Sequence, residues 1–236
     1  MRHDGRDNVS VRPIRLERDY IVYPEGSVLL SFGHTRVLCN ASIEHKVPQW
    51  LSGRGQGWVS AEYAMLPRAT HKRSQRDSRS GKPNSRALEI SRLIGRSLRS
   101  VVDLNGLGER TITIDCDVLQ ADGGTRTAAI SGAFLAVELA LEKLVRQGSL
   151  DRLPLRARVA AVSVGLVDGE VLVDLDYDED SRAAVDLNIV QTDRGDYIEL
   201  QGTAEKSPFS PAQLEELLAG ARAGISAIFA ATRPGE

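Results

Sequence analysis

Residues 111–147 constrain this chain more than any other stretch. "RTITIDCDVL" alternates strictly, with Ile112, Ile114, Cys116 and Val118 on one side and Thr111, Thr113, Asp115 and Asp117 on the other. That is the pattern of a half-buried strand. The run meets Asp122, Gly123 and Gly124, and an apolar helix follows at once from Thr125 to about Gln147. The corner has two readings. A helix start exposes unpaired N–H groups, glycines let an anion approach the backbone, and Thr125 and Arg126 add donors. Alternatively, Thr125 or Thr127 caps the helix and the corner only turns the chain. This stretch by itself leaves both open.

The rest of the chain supplies partners for that strand and helix. "GSVLLSFGHTRVLCNASIEHKV" reads as two strands joined near Gly33–Thr35, and "GWVSAEYAML" continues the β region. "RALEISRLIGRSLRSVVDL" has Ile90, Ile94, Leu98 and Val101 at helical spacing and is expected to stop at Asn105–Gly106. "LRARVAAVSVGLVDGEVLVDLDY" is a hairpin turning at Asp168–Gly169. "VDLNIVQT" and "YIELQGTA" form a second hairpin around "DRGD". The last helix opens with Ser210 as N-cap, Pro211 at its first position and Gln213 completing a capping box. This order predicts an α+β protein, two α+β units with mixed sheets packed against helices. The polar "GSLDRLP" at 148–154 divides it into units 10–147 and 155–236.

Composition narrows the function classes. A chain of 236 residues with 42% hydrophobic and 26% charged content is ordinary for a globular protein with a real core. No apolar run reaches the ~18 residues of a membrane span, and "MRHDGRDNVSVRP" lacks a signal-peptide core, so a cytoplasmic protein is expected. Cys39 and Cys116 form no CxxC pair and read as buried thiols. His3, His34, His45 and His71 show neither metal nor triad spacing.

Charge is distributed unevenly under a net of −2. Arg68 to Arg99 holds ten Lys/Arg, Arg79 and Lys82 among them, against Asp77 and Glu89. Its first part, residues 67–86, is almost free of apolar side chains and is expected to be an exposed, mobile loop. Arg92, Arg96 and Arg99 then fall on one helical stripe. Solubility alone explains many basic loops, but an excess this large points to RNA or another polyanion. Asp168 to Glu205 holds twelve acids against Arg182 and Arg194. A calcium loop starting at Asp174 fails, because its sixth residue is Glu179 and its twelfth is Val185. Strand alternation is expected to hold Asp174, Asp176 and Asp178 away from the apolar face. Asp180 and Asp186 flank "SRAA" and could share one Mg²⁺, or simply be solvated acids.

Taken together, "RHDGRDNVSVRPI", "GWVSAEYAMLPRAT", "EISRLIGRSLRSVVDL", "ITIDCDVLQADGGTRTAAISGAF", "DLDYDEDSRAAVDLNIV" and "IELQGTAEKSPFS" resemble the ribonuclease PH family in wording and order. The family's relatives include polynucleotide phosphorylase and exosome ring subunits. The resemblance implies a phosphate-dependent 3′-to-5′ exoribonuclease, a tRNA nucleotidyltransferase that trims tRNA precursors and other RNA 3′ ends. It would release nucleoside diphosphates and run in reverse from them. It implies that Arg86, Gly124, Thr125 and Arg126 hold inorganic phosphate as co-substrate. It implies that Asp180 and Asp186 are catalytic and hold Mg²⁺, with protonation of the leaving 3′ oxygen by one of them, Asp180 first, as the alternative role, and that Arg68, Arg73 and Arg76 grip tRNA. It implies a homohexameric ring, a trimer of dimers. Two departures stand out: Ala64 replaces a usual glycine, and the loop "SQRDSRSGKPNS" differs from the family's usual wording. Asn188 agrees with the family but stands where polynucleotide phosphorylase has a lysine, so no lysine metal ligand carries over. A non-catalytic RNA-binding ring subunit is the alternative, and it would be favoured by loss of the arginines or of the aspartate pair.

Overall fold

Period-two patterning accounts for most of the strands. In the computed structural model, which describes residues 2–76 and 84–233, the first sheet comprises β1 (Ile14–Arg18), β2 (Gly26–Phe32), β3 (Thr35–Glu44), β4 (Trp58–Met65) and β5 (Thr111–Gln120). Its order is β1-β2-β3-β5-β4. Neighbours are antiparallel except for β4 and β5, which are parallel. A parallel pair needs a long connection, and here it contains α1 (Ser85–Val101) and the short α2 (Leu104–Leu107). β5 buries Ile112, Ile114, Cys116 and Val118, as its alternation predicts. Cys39 and Cys116 lie opposite each other on β3 and β5 as buried free thiols.

The second sheet comprises β6 (Val159–Val167), β7 (Glu170–Val173), β8 (Val185–Thr192) and β9 (Tyr197–Ala204), in the order β7-β6-β8-β9. The class is α+β, with a mixed first sheet. The second sheet is antiparallel throughout, because tight hairpins join β6 to β7 and β8 to β9. The helix after the glycine corner, α3 (Thr125–Arg146), packs on β2, β3 and β5 of the first sheet and on β6 and β8 of the second. One continuous core therefore runs through both sheets, with α3 in its middle. The C-terminal helix α5 (Pro211–Ala231) has the expected capping box at Ser210 and packs on β6 and β7.

Two local expectations need correction, and one strand, β1, matches no expectation. α1 ends at Val101, not at Asn105–Gly106, which instead lie inside α2. Val102 turns extended and bridges to Leu155, and the Asp103 amide donates to the Pro154 carbonyl. Tertiary pairing thus outcompetes continued helix. β1 carries no strong apolar signal and forms as an edge strand on β2. Asp174, Asp176 and Asp178 do not alternate on a strand. Asp174 has φ +56°, and the chain then enters a one-and-a-half-turn helix, α4 (Tyr177–Arg182), with Asp176 as its cap. Of the expected basic loop, Arg68 and residues 70–76 are exposed, while 77–83, with Arg79 and Lys82, lie outside the described residues. No helix among the described residues is long and apolar enough to cross a membrane.

Candidate active site

The glycine corner sits where the two sheets meet. Gly123 and Gly124 have φ of +72° and +62°, a backbone region that costs side-chain-bearing residues strain. A Cβ on Gly123 would lie 2.5 Å from the Leu175 carbonyl oxygen and 2.8 Å from Asp176 Cα, so the corner touches the backbone leading into α4. Gly124 is the N-cap of α3, and no side chain caps that helix. Thr127 Oγ1 donates back to the Gly124 carbonyl at 2.9 Å. Thr125 is engaged differently, accepting from the buried Tyr63 hydroxyl at 2.9 Å. The capping alternative therefore fails: the first-turn amides and the positive end of the α3 dipole are left for something else.

What surrounds the corner is strongly charged. Gly123, Gly124, Thr125, Arg86, Arg126, Asp180, Asp186 and Asn188 line one cleft of about 560 Å³. Arg86 is the second residue of α1, whose start is fixed by Asn84 accepting from the Arg86 and Ala87 amides. Arg126 is the second residue of α3. Its Nη1 donates to Gln201 Oε1 on β9 at 2.6 Å and lies 3.5 Å from Glu89 on α1. Three elements thus aim one guanidinium.

The two carboxylates arrive from different elements. Asp180 rides on α4 and Asp186 is the second residue of β8. Burial pushes the Asp180 carboxyl up, while Arg86 and Arg126 pull it down and Glu205 adds to the rise. Asp186 is pushed up to about 6, by burial first and then by the Asp180 charge, against Arg126 and the Asn188 amide. Its Oδ2 accepts from Asn188 Nδ2 at 3.2 Å, but its buried Oδ1 has no hydrogen-bond partner among the described residues. A partnerless buried carboxylate oxygen beside a second carboxylate is a donor set suited to a hard cation such as Mg²⁺.

The acidic segment before Asp180 is held by the N-terminus. Arg12, buried, places its guanidinium on both oxygens of Asp174, at 2.9 and 2.7 Å, and also donates to the Asp122 carbonyl. Thr35 Oγ1 donates to the Gly123 carbonyl at 2.7 Å and accepts from the Asp122 amide at 3.0 Å. Arg2, also buried, forks onto both oxygens of Glu179 and donates to the Val173 and Asp174 carbonyls. Arg6 donates to the Asp174 carbonyl at 3.1 Å. His3, Asp176 and Glu179 also come within ligand range of one another. However, Arg2 occupies both Glu179 oxygens, and Asp176 Oδ1 accepts from the Glu179 amide. That group is an ion-pair and capping cluster.

The basic residues divide into two sets. His71 and Lys72 line the cleft, and Arg68, Arg73 and Arg76 are exposed beyond them. Arg92, Arg96 and Arg99 lie farther along α1 and are not part of the cleft lining. Arg96 pairs with Glu199 at 3.1 Å. Arg99 stacks 4.6 Å over the Trp58 ring and donates to the Val59 carbonyl, which locks α1 to β4. Arg99 therefore has a packing role that its place on the stripe did not reveal.

Sequence reasoning did not find Arg2, Arg6, Arg12, Thr35, Tyr63, Glu89 or Gln201. One signal was available: Asp176 and Glu179 stand at capping-box spacing, which marks a helix start just before Asp180.

Comparison with known proteins shows the family and the fold. Residues 10–141 match the model of the 3′ exoribonuclease family, domain 1, and residues 157–224 match domain 2 of the same family. Among solved structures, rice (Oryza sativa) Rrp46 superposes with a TM-score of 0.77 at 20% identity, covering 98% of this chain and 99% of that one. The Archaeoglobus fulgidus exosome with RNA bound to the active site gives 0.77 at 22% identity, covering 93% of this chain and 88% of that one. An archaeal exosome core gives 0.77 at 19% identity, covering 98% and 91%. Likeness at these identities concerns the fold.

Proposed function

The chain belongs to the 3′ exoribonuclease family, and from that premise we propose that it is a phosphate-dependent exoribonuclease that trims the 3′ ends of tRNA precursors. The observation that carries this reading is the convergence of Arg86, Arg126 and the uncapped Gly124–Thr125 helix start on one cleft with Asp180 and Asp186. Two cations and a bare helix N-terminus suit a free tetrahedral anion.

In this reading, inorganic phosphate docks between Arg86, Arg126 and the first-turn amides of α3. An oxygen of that phosphate attacks the phosphorus of the terminal phosphodiester. The bond from this phosphorus to the penultimate 3′ oxygen breaks, and a proton reaches that oxygen. The terminal nucleotide leaves as a nucleoside diphosphate, and the reverse reaction extends the RNA from diphosphates. Two anions must approach each other, so the arginines offset repulsion and stabilise charge in the transition state. Asp180 and Asp186 would hold Mg²⁺, which supplies further charge neutralisation when bound. Arg126, fixed by Gln201 and Glu89, orients the phosphate.

The exposed Arg68, Arg73 and Arg76 would grip the tRNA body, with Arg92 and Arg96 behind them. A homohexameric ring in the cytoplasm completes the reading, and exposed Val22, Tyr23 and Leu200 offer apolar surface for ring contacts to cover.

Incubation with a tRNA precursor and Mg²⁺, with and without phosphate, tests the proposal. Nucleoside diphosphates are expected, and only with phosphate. Nucleoside monophosphates, or equal rates without phosphate, would mean hydrolysis, and no shortening at all would favour a non-catalytic RNA-binding subunit. Joint Arg73→Ala and Arg76→Ala replacement should weaken tRNA binding by roughly tenfold and flatten the plot of log K against log salt by about one to two. Filter binding across a salt series reads both, and an unchanged slope would return these arginines to a solubility role.

A further inference from the structure

Three arginines from the first twelve residues converge on one residue, Asp174. Its carbonyl accepts from Arg2 at 3.0 Å and Arg6 at 3.1 Å, while its carboxylate takes the Arg12 fork and the Arg12 amide, the latter at 2.7 Å. Asp174 sits at φ +56°. A residue with a Cβ is rarely stable there unless its surroundings fix it. This bend is what turns the chain from β7 into α4, and so decides where Asp180 stands. The remaining arm of Arg12 reaches the other side of the cleft, at the Asp122 carbonyl and, at 3.4 Å, Thr35 Oγ1. Thr35 in turn holds the Gly123 carbonyl.

We propose that Arg12 is a positioning residue that sets the spacing between the phosphate-binding corner and the helix carrying Asp180. It is not among the residues that line the cleft. It acts through Asp122 and Thr35 on one side and through Asp174 on the other. The planar guanidinium is what makes the link possible, because its nitrogens point in fixed, separate directions. A lysine keeps the charge and can donate more than once, but from one nitrogen, so it cannot reproduce the span that three Arg12 nitrogens make between Asp174 and the Asp122 carbonyl. Misplacing the corner by a fraction of an ångström should weaken phosphate binding before it disturbs RNA binding, since among the described residues no hydrogen bond joins Arg68, Arg73 or Arg76 to Arg12, Thr35, Asp122 or Asp174.

This inference rests on the phosphorolytic reading, so its test has separate arms. Arg12→Lys is made in the full chain and its fold checked by circular dichroism. Phosphate affinity is measured by calorimetry without RNA, and the phosphate KM with a fixed tRNA precursor. With the fold retained, phosphate Kd and KM are expected to rise about tenfold, and tRNA Kd to stay within twofold. Should Arg12→Lys fail to fold, Thr35→Val, which removes both hydrogen bonds at the corner in the same shape, is read by the same criteria. A folded variant with wild-type phosphate Kd and KM, even with a lower melting temperature, overturns the positioning role. A wild-type protein that binds no phosphate overturns the phosphorolytic reading instead.

Discussion

Asp186→Asn is expected to lower turnover by about 10²–10³-fold and, in the absence of Mg²⁺, to make the protein more stable at neutral pH. The two effects have one cause. Asp186 is raised to about 6 from an ordinary value of 3.8, by burial first and by the Asp180 charge second. A carboxyl raised in the folded state binds a proton that the unfolded chain has already lost between those values. Its contribution to stability is therefore fully present below about pH 4 and is lost as pH rises through about 6. Above that pH the folded protein carries an ionised carboxylate against burial, which costs about 2–3 kcal/mol at most. Asparagine removes the charge, so the melting temperature at pH 7.5 should rise by roughly 4–8 °C. At pH 5 most of the difference should vanish. Mg²⁺ should raise the wild-type melting temperature and leave that of the variant alone. Melts across pH 5–8, paired with rate assays, read all of this. A variant less stable than wild type at pH 7.5 would show that the buried charge has a permanent partner.

Gly123→Ala is the second large effect. The substitution is strained twice, by φ +72° and by a methyl group 2.5 Å from the Leu175 carbonyl oxygen. The first costs about 1 kcal/mol. The second cannot be relieved by rotating a side chain, because the clash is with backbone on the path into α4. The corner and α4 have to part, which separates the proposed phosphate site from Asp180. Activity should fall by about 100-fold or more, with a melting temperature several degrees lower. Gly169→Ala is the matched control: its φ is +85°, but a Cβ there meets nothing within 4 Å. It should lose only the conformational part of the stability, about 1 kcal/mol, and keep its activity. Equal losses of activity in the two variants would mean that the close approach at Gly123 has no consequence for the site.

Much of this was legible in the residues. β5, the corner and α3 follow from alternation, two glycines and an apolar run, and α5 from its capping box. The basic and acidic blocks were visible as blocks. What the residues could not carry was the engagement of individual charges. Asp174 and Asp180 look alike in "DLDYDED", yet one is locked to Arg12 and the other faces the cleft. Arg126 and Arg99 both sit on helices, yet one is aimed into the cleft and the other is stacked on Trp58. These assignments depend on partners more than a hundred residues away for Asp174 and on a neighbouring strand for Arg99. Local periodicity contains neither. The end of α1 was misjudged for a related reason, since Val102 leaves the helix to pair with Leu155.

The packing of α3 on both sheets bears on the order in which the protein comes into being. The helix that begins at the glycine corner has one sheet made before it in the chain and the other made after it. A nascent chain that has reached residue 147 holds the corner and both arginines, but the face of α3 destined for β6 and β8 is still bare. Asp180, Asp186 and Gln201 have yet to emerge. The cleft is thus completed only after the second sheet has been made, and a chain that has reached residue 147 carries the glycine corner without the carboxylates that share its cleft.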